Sequence, residues 1–398
     1  MRVSLAAVAL MGSLVCVANA QHGSKSTLLI LSKRDQTLRI VDPVTLKILG
    51  TAPVGNDPHE IIVSTDGSKA YVSNYGFGAF NTLAVIDLVK RKPLPSIDLG
   101  ALRGPHGLTF VGGKVYFTAE AAKALGRFDP ATHKIDLILG TGQDRTHMVY
   151  VSPDSKQIIT TNVSSGTVSI IDQSNGRGPG GRRGPGGPPP GGPGGPPPNG
   201  FGGPGGPPPG GPSGPPPDGR GGPGGPGGPP PGGPNGRRGP GGPPPGGGQG
   251  WTETVVKVGN GSEGFDVSPN RKEVWVANSE DGTISIITLA TKQVTKTLQV
   301  NVRGANRLKF TPDGKRVLVS NLGGSDLVVL DAHTRQVIKR IPISHGAAGI
   351  QIQPDGAKAF VACSPDSYVV AIDLKTYKVI GKIPTGGDPD GLAWAIRK

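Results

Sequence analysis

ANRLKFTPDGKRVLVSNLGGSDLVVLDAHTRQVIKRIPI, residues Ala305 to Ile343, decides the fold. Four short runs rich in β-branched and apolar residues (RLKF, RVLVSN, LVVLD and VIKRIPI) are separated by PDG, GGSD and AHT. Runs of this length between turn residues read as strands joined by hairpins. Pro312 presets a turn φ and Gly314 accepts a positive one, while Asp331 can bond the backbone ahead of it. The unit is therefore predicted to form four strands.

The same unit returns in AAGIQIQPDGAKAFVACSPDSYVVAIDLKTYKVIGKIPTG, Ala347 to Gly386, and its opening returns from Pro58, Pro105, Thr146 and Ser262. An Asp closes the third run at Asp42, Asp87, Asp129, Asp172, Asp331 and Asp373, and Thr288 takes that place in the remaining copy. These aspartates read as turn-formers rather than catalytic acids. The residue placed just before each first strand is His59, His106, His147, Glu263, Asn306, Ala348 or Asp390, at successive spacings of 47, 41, 116, 43, 42 and 42. The long spacing contains 176–250, a stretch of 75 residues of which 36 are Gly and 27 are Pro, and without it the repeat is regular.

Asp390 is followed only by GLAWAIRK, enough for one strand, whereas LLILSK, TLRIVD and VTLKILGTAPVG near the start match the second, third and fourth strands. One blade completed from both chain ends closes a ring and hides sheet edges that an open array would expose. The predicted fold is all-β: a seven-bladed β-propeller with four-stranded blades, spanning 26–398 and interrupted in its third blade by the Gly/Pro stretch.

The YVSN, WVAN and LVSN segments after PDG-like turns, followed by SIID or VVLD and a closing ISHG, resemble the YVTN-repeat (YncE-like) propellers, exported proteins of bacteria and archaea. The resemblance covers Ser26 to Lys398 except the insert and implies the propeller fold. It implies little about activity, because propellers host many functions.

Composition sets further bounds. A stretch dominated by Gly and Pro cannot build a core, and 176–250 reads as a disordered, partly polyproline segment, a solvated expansion or a tether to envelope polymers. Collagen is excluded because Gly does not recur at every third position. Arg2, the apolar run Val3 to Val17 and Ala18-Asn19-Ala20 read as a signal peptide over residues 1–20, leaving a short tail, 21–25, before the propeller. The expected destination is the periplasm, the cell surface or the medium. Cleavage would leave Cys363 as the one cysteine, so stability must come from packing rather than from an internal disulfide. Of the net charge of +14, +1 lies in the signal and +5 in the Gly/Pro stretch; the remaining +8 is spread along the repeats and reads as a solvated basic surface, with attraction to an anionic polymer as the alternative. No apolar run beyond the N-terminus is long enough for a transmembrane helix.

Chemistry concentrates at one mouth of the channel. Connections between blades, and between second and third strands, share one face, so the seven marker residues ring that mouth. Asp390, His59, His106, His147 and Glu263 form a continuous arc, completed by Asn306 and Ala348. Imidazoles converging with a carboxylate suit Zn or Cu, which makes His59, His106, His147 and Glu263 the candidate metal ligands. His345 can join the rim from its loop. Tyr75, Phe77 and Phe80 in the extended YGFGAFN connection face the same side and can stack a sugar or base. No G-x-S-x-G elbow or nucleotide-binding glycine loop is present. Two functions remain open. One is a non-enzymatic, monomeric exported propeller that binds a small ligand or envelope macromolecule at the His-lined mouth. The other is a metal-assisted or lactonase-like hydrolase using the same groups.

Overall fold

The computed structural model describes residues 26–174 and 250–397. Their 28 strands form seven four-stranded antiparallel sheets, and every hairpin unit foreseen from the repeats is present. Blades 1 to 6 begin with inner strands Pro58–Val63, Pro105–Val111, Thr146–Val151, Ser262–Val267, Ala305–Phe310 and Ala347–Ile352. In blade 7 the inner strand Pro389–Ile396 pairs with Ser26–Ser32, and Thr37–Val41 and Ile48–Pro53 complete the sheet. Its register runs from Ser26 opposite Ile396 to Ser32 opposite Pro389, so the two ends of the chain share one sheet.

Packing closes the ring. Each of seven buried clusters joins neighbouring blades: Leu31 and Ile61 meet between blades 7 and 1, Val85 and Phe117 between 1 and 2, Leu125 and Val149 between 2 and 3. The series continues through Ile170 with Phe265, Trp275 with Leu308, and Val329 with Ile350, and returns with Phe360 against Leu28. Middle strands buried on both faces need continuous apolar runs, which is what KAYVSN and RVLVSN supply. Outer strands such as KIDLILG alternate instead, because one of their faces meets water.

The marker residues are the second residues of the inner strands, two positions further in than the sequence reading placed them. In blade 1, Pro58 pairs with Asn74 and Ile61 with Val72, so three steps on the inner strand oppose two on its partner. The same register shift occurs in the other six blades. Such a bulge leaves an unpaired residue and re-aims side chains. The Ser or Thr before the last residue of the second strand (Asn74, Ala119 or Asn321) meets the stranded amide: Ser73 accepts from Glu60 N–H at 3.0 Å, Thr118 from Gly107 at 2.8 Å and Ser320 from Arg307 at 2.9 Å. The Thr118 hydroxyl donates onward to the His147 carbonyl at 2.6 Å, which ties blade 2 to blade 3. Gly107 permits this close approach, since a Cβ there would lie 2.5 Å from the His147 carbonyl oxygen.

The closing aspartates behave as turn-formers: Asp331 Oδ1 accepts from the His333 and Thr334 amides at 2.9 and 2.7 Å, and Asp373 does the same for Lys375 and Thr376. Blade 3 resumes at Gly250, the last residue assigned to the Gly/Pro stretch, which opens the strand Gly250–Lys257. The rest of that stretch, the signal peptide and the short tail lie outside the described residues. Among the described residues no helix is long and apolar enough to cross a membrane.

Candidate functional site at the channel mouth

The bulges bring six polar markers to one mouth. His59 lies 5.1 Å from His106, ring centre to ring centre, and His106 lies 3.8 Å from His147. His147 Nε2 is 2.9 Å from Glu263 Oε2, an ion-pair contact. His59 stands 3.6 Å from Asp390 and 3.2 Å from Asp57. Asn306 uses its side-chain oxygen to accept from Arg307 at 3.1 Å, and Ala348 adds only an apolar wall.

Three of the remaining candidates divide. Tyr75 is buried, donates its hydroxyl to Glu120 Oε2 at 2.5 Å, and sets its ring edge-on to His59 and His106. Phe77 is 84% exposed at the rim, 6.3 Å from His59. Phe80 packs back on its own loop at Gly76, where a Cβ would strike its ring. His345 is exposed in the connection between blades 5 and 6, with no ring contact or ion pair to the cluster among the described residues.

The most compact donor set adds a residue that the repeat markers do not reveal. Glu120 begins a short 3₁₀ turn, Glu120–Ala122, in the connection between the second and third strands of blade 2. That connection shares the mouth's face, so its position was legible; its inward direction was not. Glu120 is hydrogen-bonded to His147 Nδ1, and donor atoms of His106, Glu120 and His147 all lie within 4.8 Å of one another. His59 and Glu263, the other expected metal ligands, flank this trio. Arg145 sits above it, 3.6 Å from Glu120 and 3.9 Å from Glu263, and Lys33 holds Asp390 at 2.9 Å.

Charge is distributed unevenly over the imidazoles. Burial, followed by the neighbouring His147 and His59, holds His106 well below the ordinary histidine range, so it is neutral; its Nδ1 is buried and without a partner. Burial would also lower His147, but Glu263 and Glu120 outweigh it and make His147 the proton-holding ring between two carboxylates. Against the cost of burial, His147 and the nearby arginines hold Glu263 down to about 2. Tyr75 is pushed up by burial and by Glu120.

Fold and site together define a seven-bladed β-propeller with a histidine–carboxylate channel mouth. Residues 249–360, less than half of the chain, match the family model of the cytochrome D1 heme domain. No curated protein matches. Among solved structures, the chain is similar to a functionally unknown protein from Desulfotomaculum acetoxidans at 11% identity, with 94% of this chain and 99% of that one covered and a TM-score of 0.63. A Bacteroides fragilis protein assigned as a 6-phosphogluconolactonase is 15% identical over 93% and 98%, with a TM-score of 0.62. A dihydro-heme d1 dehydrogenase is 12% identical over 92% and 74%, with a TM-score of 0.55. At these identities the likeness concerns the fold.

Proposed function

We propose that this chain is an exported, YVTN-type propeller whose channel mouth binds a divalent transition-metal ion through His106, Glu120 and His147. The observation that carries the reading is the neutral, 2% exposed His106, whose Nδ1 has no partner beside a second imidazole and a carboxylate. An unsatisfied buried nitrogen costs free energy unless something binds it. Imidazole and carboxylate donors suit Zn²⁺ or Cu²⁺. The His147 proton, held between two carboxylates, is displaced when a cation takes its place, so uptake releases protons. Export is supported by the signal-like N-terminus, and the YVSN and WVAN repeats support the YVTN relationship.

Hydrolysis is the second reading. Glu120, His147 and Glu263 converge within contact distance, which meets the geometric condition for acid–base work. Yet His106 and His147 are only 2% and 3% exposed, burial that suits an ion better than a sugar-sized lactone. Elemental analysis of the purified full chain, followed by calorimetric titration with Zn²⁺ and Cu²⁺, tests the proposal. Stoichiometric binding lost in His106→Ala and retained in Phe77→Ala is expected; a metal-free protein that takes up neither ion overturns it. Metal-dependent lactone hydrolysis would favour the second reading.

A further inference from the structure

The channel has a second compartment. Glu60 and Arg307 occupy the third position of the inner strands of blades 1 and 5, on opposite sides of a seven-membered ring, and form an ion pair straight across the channel. Arg307 is 6% exposed. Beyond this bar, toward the face away from the histidines, lies a cavity of about 350 Å³ that has Glu60 and Arg307 in its wall and none of the mouth imidazoles.

We propose that this far chamber binds a small organic carboxylate with an aromatic or apolar body. Lys309 lines it, half-buried, and its ammonium makes no hydrogen bond or ion pair among the described residues. Arg307 is already neutralised by Glu60, and Asp266, which lines the same cavity and whose carboxyl burial holds above the ordinary range, forms no ion pair with Lys309. Asp266 instead accepts the Phe310 amide at 2.9 Å. An ammonium with no directly bonded partner among the described residues therefore faces the cavity, and such a partly buried charge favours an anionic ligand. Phe265, Leu392, Trp394 and Tyr150 surround it with apolar and aromatic surface, and the Tyr150 hydroxyl is also unpartnered. Inorganic phosphate would leave those walls uncovered, whereas a planar carboxylate uses both features. The volume lies at the small end of ligand sites.

The experiment uses the full chain with benzoate as probe and benzyl alcohol as its uncharged counterpart, read by calorimetry and saturation-transfer NMR. Benzoate should bind at least ten times more tightly than the alcohol. Lys309→Met should weaken benzoate at least tenfold, and Lys309→Arg should restore most of it, with the thermal midpoint and Zn²⁺ uptake at the mouth unchanged. Lys309→Gln serves if the Met variant fails to fold. No detectable benzoate binding, equal affinity in the Lys309 variants, or loss of binding in His106→Ala with retention in Lys309→Met would overturn the proposal.

Discussion

Three buried charges at the residue level make separate, measurable demands. Removing Arg307 leaves Glu60 uncompensated inside the channel, at a cost of about 3–5 kcal/mol. Arg307→Met should therefore melt far below the parent, while the double variant Glu60→Gln/Arg307→Met should recover most of the loss; additive losses in denaturant unfolding would contradict the pair. Asp266 gives the pH dependence. Burial raises its folded-state carboxyl above the ordinary 3.8, outweighing Lys309 and the two amides that oppose the shift, so over that window the native state holds more protons than the unfolded chain and stability falls as pH rises. Asp266→Asn should consequently gain most over the parent at about pH 7 and lose that advantage toward about pH 4, as followed by thermal melts across that range. A constant difference would show that the carboxyl is not penalised.

Among the elements, the inner-strand bulge and the strand shared by both chain ends matter most. Thr118 carries two tasks, accepting the Gly107 amide and donating to the His147 carbonyl, with its hydroxyl fully buried. Thr118→Val keeps the shape and strands both groups, so about 1–3 kcal/mol should be lost. It should also weaken metal uptake at the mouth by loosening the His147 backbone, which titration of the folded variant would read; unchanged affinity would confine Thr118 to stability. Deleting Gly391 to Lys398 removes most of the inner strand of blade 7 and leaves Ser26–Ser32 without its inner neighbour. The truncated chain should lose cooperative unfolding, and an unchanged calorimetric transition would argue against closure through both termini.

At the scale of the whole molecule, stability comes from seven interblade cores that close on themselves, so no blade is dispensable, whereas the Gly/Pro stretch contributes only Gly250 to the described strands. Replacing 176–249 by a short turn between Ser174 and Gly250 should preserve the fold, because those strands are already neighbours in the blade 3 sheet. Circular dichroism and melting of the shortened protein check this, and loss of folding would mean that the stretch supports the ring.

Repeat spacing, turn residues and the incomplete last unit were enough by themselves to determine seven blades, their strand order and the closing sheet, because period-2 strands and hairpin turns are local properties of the chain. They also placed His59, His106, His147, Glu263 and Asp390 at one mouth, since a repeat puts equivalent positions at equivalent heights. Tertiary structure alone decided which groups meet. The inward turn of Glu120, the bar formed by Glu60 and Arg307, and the unpartnered Lys309 depend on side chains from blades far apart in sequence, and on bulges that rotate those side chains away from the regular strand pattern. No local periodicity encodes a contact across a ring, because its two partners are brought into reach only when the last blade closes on the first.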